Sequence, residues 1–345
     1  MAIFFDAPVT PDALTAFVRE IPLPSTLGLS ALFPTETSDS NTIDWSEIIQ
    51  TNRTARFRSF DGRIHVSDRD GSSDKRVSLL PFSDSLNMGE YERLQLEFAR
   101  TGGTRQSALA NAIYNDAERL VRNMRNRMEQ AVGDVLIDGK LTINENGLVG
   151  MEADFGVPAN HIVTAATAWT NTAAPILDNL IAWVDTYVAT NGFAPGGILT
   201  SARVGRLLWV NTQLINTAAG SAAGRTRINT AELADVLASE NLPSTISFYD
   251  TVLDIDGSST RVIPDDRVIF LPPNPSDLLA IRYGLSATAL ELVGSNESEA
   301  DFADAPGIVG VVEKVGPPYR QFTFVDAVGM PYLKDARNLF VADVA

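Results

Sequence analysis

One stretch limits what this chain can become. Between Ser107 and Asp138, the residues Leu109, Ile113, Ala117, Leu120, Met124, Met128, Ala131 and Val135 recur at spacings of three and four. That is the helical period. Gly102 and Gly103 precede the run, Thr104 or Ser107 can cap it, and Gly139 can end it. At a rise of about 1.5 Å per residue the helix is a rod of about 50 Å, longer than a small domain is wide. An apolar stripe of that length needs partners along all of it, which points to a load-spreading structural part.

The remaining composition excludes more than it assigns. With 345 residues, 45% apolar and 20% charged, the chain has material for about two ordered domains and a sizeable core. Its net charge of −16 gives it no general attraction for nucleic acid, whose binding rests on basic patches. The absence of cysteine removes disulfides, thiolate nucleophiles and cysteine-based metal sites. The N-terminus MAIFFDAPVTPDAL lacks the basic and long apolar regions of a secretory signal, and no apolar run approaches a membrane span. A soluble protein made in a cytoplasm is the expectation.

Residues 1–50 carry prolines at 8, 11, 22, 24 and 34 and the pair Phe4-Phe5. The spacing predicts an extended arm with one short helix near 11–18, lying on the body or on a neighbour. Residues 51–80 alternate and predict a long hairpin: outgoing strands at 54–60 and 63–66, a polar tip at 67–74, and a return at 76–80. A strand and turn follow Gly139. A second helix is predicted over 175–190, with Ile176, Leu180, Ile181, Val184 and Val188 inward and Asn191-Gly192 past its end. Then come a short buried strand at 195–200, helices capped by Ser201 and Thr230, and a small-residue loop at 216–227. From Thr245 onward the pattern is mostly β, closing with strands near 310–314, 321–327 and 339–344.

Candidate chemistry is sparse. His65 and His161 lack any metal-ligand spacing and read as surface or packing residues. Asp254-Ile255-Asp256-Gly257 opens like a calcium loop but lacks the later acidic ligands, so a hairpin turn is the better reading. The 43 acids leave a carboxylate dyad conceivable, but scattered carboxylates ordinarily form solvated faces. Arg119, Arg122 and Arg125 stand three apart on one outer face of the long helix, with Glu118 four before Arg122. An inter-subunit or solvent face fits them better than a nucleic-acid stripe. No catalytic residue, cofactor or metal site is predicted.

Taken in order, these parts resemble the major capsid protein of tailed bacteriophages, in the lambda-like coat family. The resemblance rests on the N-arm, the charged hairpin and the helix holding Ala117-Glu118-Arg119-Leu120 through Ala131. It also rests on Asn191-Gly192 to Ser201, Arg261–Pro273, Pro317-Pro318-Tyr319 to Val325, Gly329-Met330-Pro331 and 339–345. It implies an α+β fold with an N-terminal arm at 1–50 and an extended hairpin loop at 51–90. A peripheral domain at 91–194 and 306–345 would carry the spine helix 107–138, and an axial domain would span 195–305. Arm and hairpin would reach across neighbours, making Phe4, Phe5, Arg56, Arg58, Arg63, Lys75, Arg76, Arg122 and Arg125 the inter-subunit contacts. Some relatives cross-link through a hairpin lysine, and Lys75 is the candidate by position. The implied partners are further copies in pentamers and hexamers, a separate scaffolding protein, a portal and a decoration protein. DNA would be enclosed without specific binding, with no membrane, in a virion assembled in the host cytoplasm. The competing readings are an encapsulin-like compartment shell, a carboxylate-based hydrolase that would run as a small oligomer, and a cell-surface adhesion module, which the missing signal disfavours.

Overall fold

The computed structural model describes residues 9–48, 72–92, 95, 105–145, 148–221, 224–255, 257–294, 306–316 and 320–345. Its organising element is the long helix, α3, observed at Arg105–Asp138. Helices α1 (Pro11–Glu20) and α2 (Gly28–Leu32) precede it. The predicted stripe is buried from Ile113 to Val135, with Leu109 half-buried, and is widened by Val121, Val132 and Leu136. Gly133 lies mid-helix, where a Cβ would sit 2.8 Å from the carbonyl oxygen of Val262. Its helical cost of about 1 kcal/mol is the condition for that close approach.

Two sheets lie along the rod. The first orders β1 (Thr35–Thr37), β13 (Leu279–Tyr283), β15 (Arg320–Leu333) and β14 (Val309–Val315), with β4 (Pro81–Met88) also on β15. Against it pack the N-terminal half of α3 and α1, through Leu14, Val18, Ala117, Leu120, Val121, Val312 and Val325. The second orders β7 (Ile162–Thr164), β16 (Phe340–Asp343), β12 (Arg267–Leu271), β8 (Gly197–Thr200) and β9 (Ile246–Phe248). Strands β12 and β16 are buried on both faces, which explains their unbroken apolar runs. Ile269, Leu271 and Val341 face the C-terminal half of α3 with Val132, Val135 and Leu136. Val268, Phe270 and Phe340 face the opposite way. There they meet α4 (Ile176–Asn191), α5 (Ala202–Val210), α6 (Thr212–Ala219) and α7 (Thr230–Ser239). A last helix, α8 (Ala287–Val293), covers the far face of the first sheet.

Local chemistry accounts for the helix ends. Ser201 Oγ accepts from Val204 N at 3.1 Å, and Gly192 closes α4 in the left-handed region at φ 80°. Asn229, one residue before the predicted Thr230, caps α7 in a reciprocal box with Glu232. On α4 the inner face is turned from its predicted line: Trp183 and Tyr187 are buried, while Val188 is 37% exposed. The predicted 216–227 loop is helical up to Ala219. The Gly257 turn joins β10 (Val252–Ile255) to β11 (Ser258–Arg261), as predicted.

Three expected boundaries move. The described base of the hairpin pairs β2 (Thr42–Ile48) with β3 (Ser72–Ser78), so its outgoing strand begins inside the segment assigned to the arm. Residues 81–88 leave the hairpin altogether, because the alternation of Phe82, Leu86 and Met88 places them as β4 on β15. The division expected at 194/195 also fails. Helix α4 and β7 share a core with β8 and β12, β16 joins that same sheet, and β13 joins the other. Strands pair by complementary burial rather than by proximity in sequence.

Candidate assembly surfaces

The residues left the N-terminal segment to lie on the body or on a neighbour, and the resemblance implied a neighbour; residues 9–37 lie on their own body. Thr10 caps α1, and Leu14 and Val18 are buried beneath it. Arg19 Nε donates to Ile308 O at 3.0 Å, and Thr15 Oγ1 lies 3.3 Å from Gly310 O. Arg125 corrects the predicted outer face: its Nη1 donates to Pro22 O at 2.5 Å and its Nη2 to Ile21 O. The guanidinium is half-buried because it clamps the link between α1 and α2 within its own chain. Arg119 and Arg122 do lie exposed, with Arg122 3.3 Å from Glu118.

Two carboxylates that the sequence reading passed over complete the strap. Glu129, fully buried on α3, accepts from the Leu29 and Ser30 amides at 2.8 and 2.7 Å. An acid three before Val132 and seven before Leu136, inside an apolar stripe, is a signal legible in the sequence. Glu36, on β1, accepts from Arg282 at 3.0 Å, Tyr332 Oη at 2.9 Å and Lys334 at 2.8 Å. Burial alone would raise its pKa, but the bonds from Lys334, Arg282 and Tyr332 outweigh it and hold the carboxyl at about 2. No spacing in the sequence brings Glu36 and Arg282 together.

Of the predicted contact residues, Phe4, Phe5, Arg56, Arg58 and Arg63 lie outside the described residues, as does His65. Lys75 and Arg76 stand on β3, opposite Trp45 and Asp44 in register. Beside β4, a groove of about 600 Å³ runs between α3 and β5 (Lys140–Glu145), which pairs with β6 (Leu148–Asp154). Its floor is Phe82, Met124, Met128, Ile143 and Met330, and its rim includes Asp84 and Arg127.

His161 is a packing residue. It is fully buried, and burial pushes its pKa down despite a bond to the carbonyl of Leu339. That carbonyl, 2.9 Å from Nδ1, can only accept, so Nδ1 carries a proton; Nε2 lies 3.0 Å from Thr190 Oγ1, whose hydroxyl also donates to Thr186 O at 3.1 Å. Among the described residues, no group of three or more His, Cys, Asp or Glu could hold a metal, and no helix is long and apolar enough to cross a membrane.

Comparison with known proteins agrees with this geometry. The described architecture resembles a capsid protein of a prophage from Escherichia coli CFT073, with a TM-score of 0.62 at 13% identity, over 98% of this chain and 99% of that one. A phage-related protein from Bordetella bronchiseptica RB50 superposes with a TM-score of 0.57 at 14% identity, over 99% and 98%. No curated protein matches. At these identities the likeness shows the fold, a mixed α+β phage capsid architecture. The family model of phage major capsid protein E matches residues 10–295. The chain therefore belongs to the phage major capsid protein E family, whose members build the shell of the virion.

Proposed function

We infer that copies of this chain close into an icosahedral shell of pentamers and hexamers, held by contacts outside the two cores described above. The observation that carries this reading is the β2–β3 ribbon. Among the described strands it pairs only with itself, with Ile43 and Val77 at its base packed into the core around the long helix. Residues 49–71 between its strands hold Arg53, Arg56, Arg58 and Arg63. These cations suit the acidic surface of another copy of a chain with net charge −16. Phe4, Phe5, Lys75, Arg76 and Arg122 are proposed contacts on the same footing. Arg125 is not, because its donors are engaged inside the chain.

In this reading a separate scaffolding protein guides assembly, a portal occupies one vertex, and a decoration protein is an optional outer partner. The chain's acidity keeps enclosed DNA from sticking, and assembly takes place in the host cytoplasm. Electron microscopy of the purified full-length chain, with Arg63→Glu beside it, tests this. Closed particles are expected from the parent chain, with few or none from a variant whose thermal unfolding is unchanged. Normal particles from a variant with a less stable fold would overturn the role given to the ribbon.

A further inference from the structure

We propose that Glu129 is a three-way joint coupling the N-terminal strap to the Tyr249–Thr251 turn, so that neither seats on the long helix independently of the other. The side chain is fully buried and all four of its hydrogen bonds come from neutral donors. Oε1 accepts from Leu29 N at 2.8 Å and from Tyr249 Oη at 2.7 Å. Oε2 accepts from Ser30 N at 2.7 Å and from Ser30 Oγ at 2.5 Å. One carboxylate on α3 thus joins a segment about a hundred positions before it to another about as far after it.

Two further contacts bind the same segments to each other. Thr251 Oγ1 donates to Thr26 O at 2.9 Å. The Tyr249 ring lies over Gly28, where a Cβ would stand 3.6 Å from two of its carbons. The turn in its own right extends the second sheet, since Tyr249 N, just past β9, donates to the O of Thr200, the last residue of β8, at 2.9 Å. The strap, in turn, is tied to the first sheet through Glu36 and Arg282.

The coupling follows from what each half would leave behind. A buried carboxylate that has lost its water needs every donor around it. Removing the strap leaves it with the tyrosine alone, and removing the tyrosine leaves Oε1 with one amide. In either case the cost exceeds that of the missing bond, because a buried charge is left short of partners. Loosening one segment therefore weakens the other, and the effect is reciprocal. The joint lies wholly within one copy and stands independently of the assembly reading.

Hydrogen exchange on the full-length chain tests it, using Tyr249→Phe, which removes one hydroxyl, and Ser30→Ala, which removes another. Tyr249→Phe is expected to speed exchange of the 28–32 amides about tenfold. Ser30→Ala is expected to do the same for residues 246–253, with the amides of α4 unchanged in both. Combining the two should give less than the product of the single effects. Exchange that changes only in the substituted segment, or slows in the other, would overturn the joint. Glu129→Gln should release both segments together, and the two milder variants decide the matter if that chain does not fold.

Discussion

The two sheets packed along the long helix are held by different chemistry. The first sheet and the strap are gathered from four separate stretches of the chain and joined by polar latches at Glu36, Arg125 and Glu129. The second sheet and its helices come mostly from residues 162–271. Their core is aromatic: Phe340 stacks on Phe270 at 5.2 Å, and Trp169 on Trp183 at 5.7 Å. Its buried titratable groups include His161 and Tyr187, bonded to the backbone carbonyls of Leu339 and Asn338 rather than held in ion pairs. A region assembled from remote segments needs directional contacts to choose among possible arrangements. A contiguous region can rely on packing and local caps.

The strongest way to break this contrast is at the stripe both regions share. Leu120→Asp places an unpaired charge at a fully buried position against the first sheet. The cost is several kcal/mol, comparable with the whole stability of a domain. Circular dichroism should show lost helix and the chain should fall out of solution. A soluble, fully helical variant would show that the stripe is not buried.

Acid separates the two regions by window, though both lose stability as pH falls. Glu36 has its folded pKa depressed from 4.5 to about 2. Its contribution, about 2 kcal/mol, is complete above pH 4.5 and is lost as pH falls toward 2. Glu36→Gln should lower stability at pH 7 and flatten the pH dependence across that window. His161 has its folded pKa pushed below 6.5 by burial, so the unfolded chain takes up its proton first. Stability from this site is complete above pH 6.5 and declines as pH falls below it. His161→Gln should remove that slope without altering the lower window. Denaturant unfolding followed by tryptophan fluorescence weighs the second region, since Trp169, Trp183 and Trp209 all belong to it. If both variants changed the same pH range, the regions would not be distinct in the way their chemistry implies.

Much of this was legible before any coordinates. The long helix, its stripe, the Ser201 cap and the runs of β8, β12 and β16 follow from period and from local side-chain chemistry. Pairing between remote strands is a different matter. Nothing local in Leu279–Tyr283 says that it joins β15, or that β16 belongs with β8's sheet rather than β14's. Glu129 had a signal, an acid set within an apolar band, whereas Glu36 had none, because its cations arrive from about 250 and 300 positions away. The arm's destination was hidden for the same reason. Its apolar face demands a partner, but periodicity cannot say whether that partner is its own chain or another.

Arg122 and Arg125 make the finest test, since they stand three apart on one helix and differ only in what surrounds them. The Arg122 side chain is 60% exposed and pairs with a Glu118 side chain that is 50% exposed. Such an i,i+4 pair contributes a few tenths of a kcal/mol, screened by salt. Arg122→Ala should therefore leave thermal unfolding of the unassembled chain within error, while Arg125→Ala frees two carbonyls of the strap and lowers it measurably. If Arg122 faces a neighbour in the shell, its loss will lower particle yield with no change in subunit stability. Equal effects of the two substitutions on unfolding would mean that the strap does not close over Arg125 in solution, and the division between an inward clamp and an outward contact would fall with it.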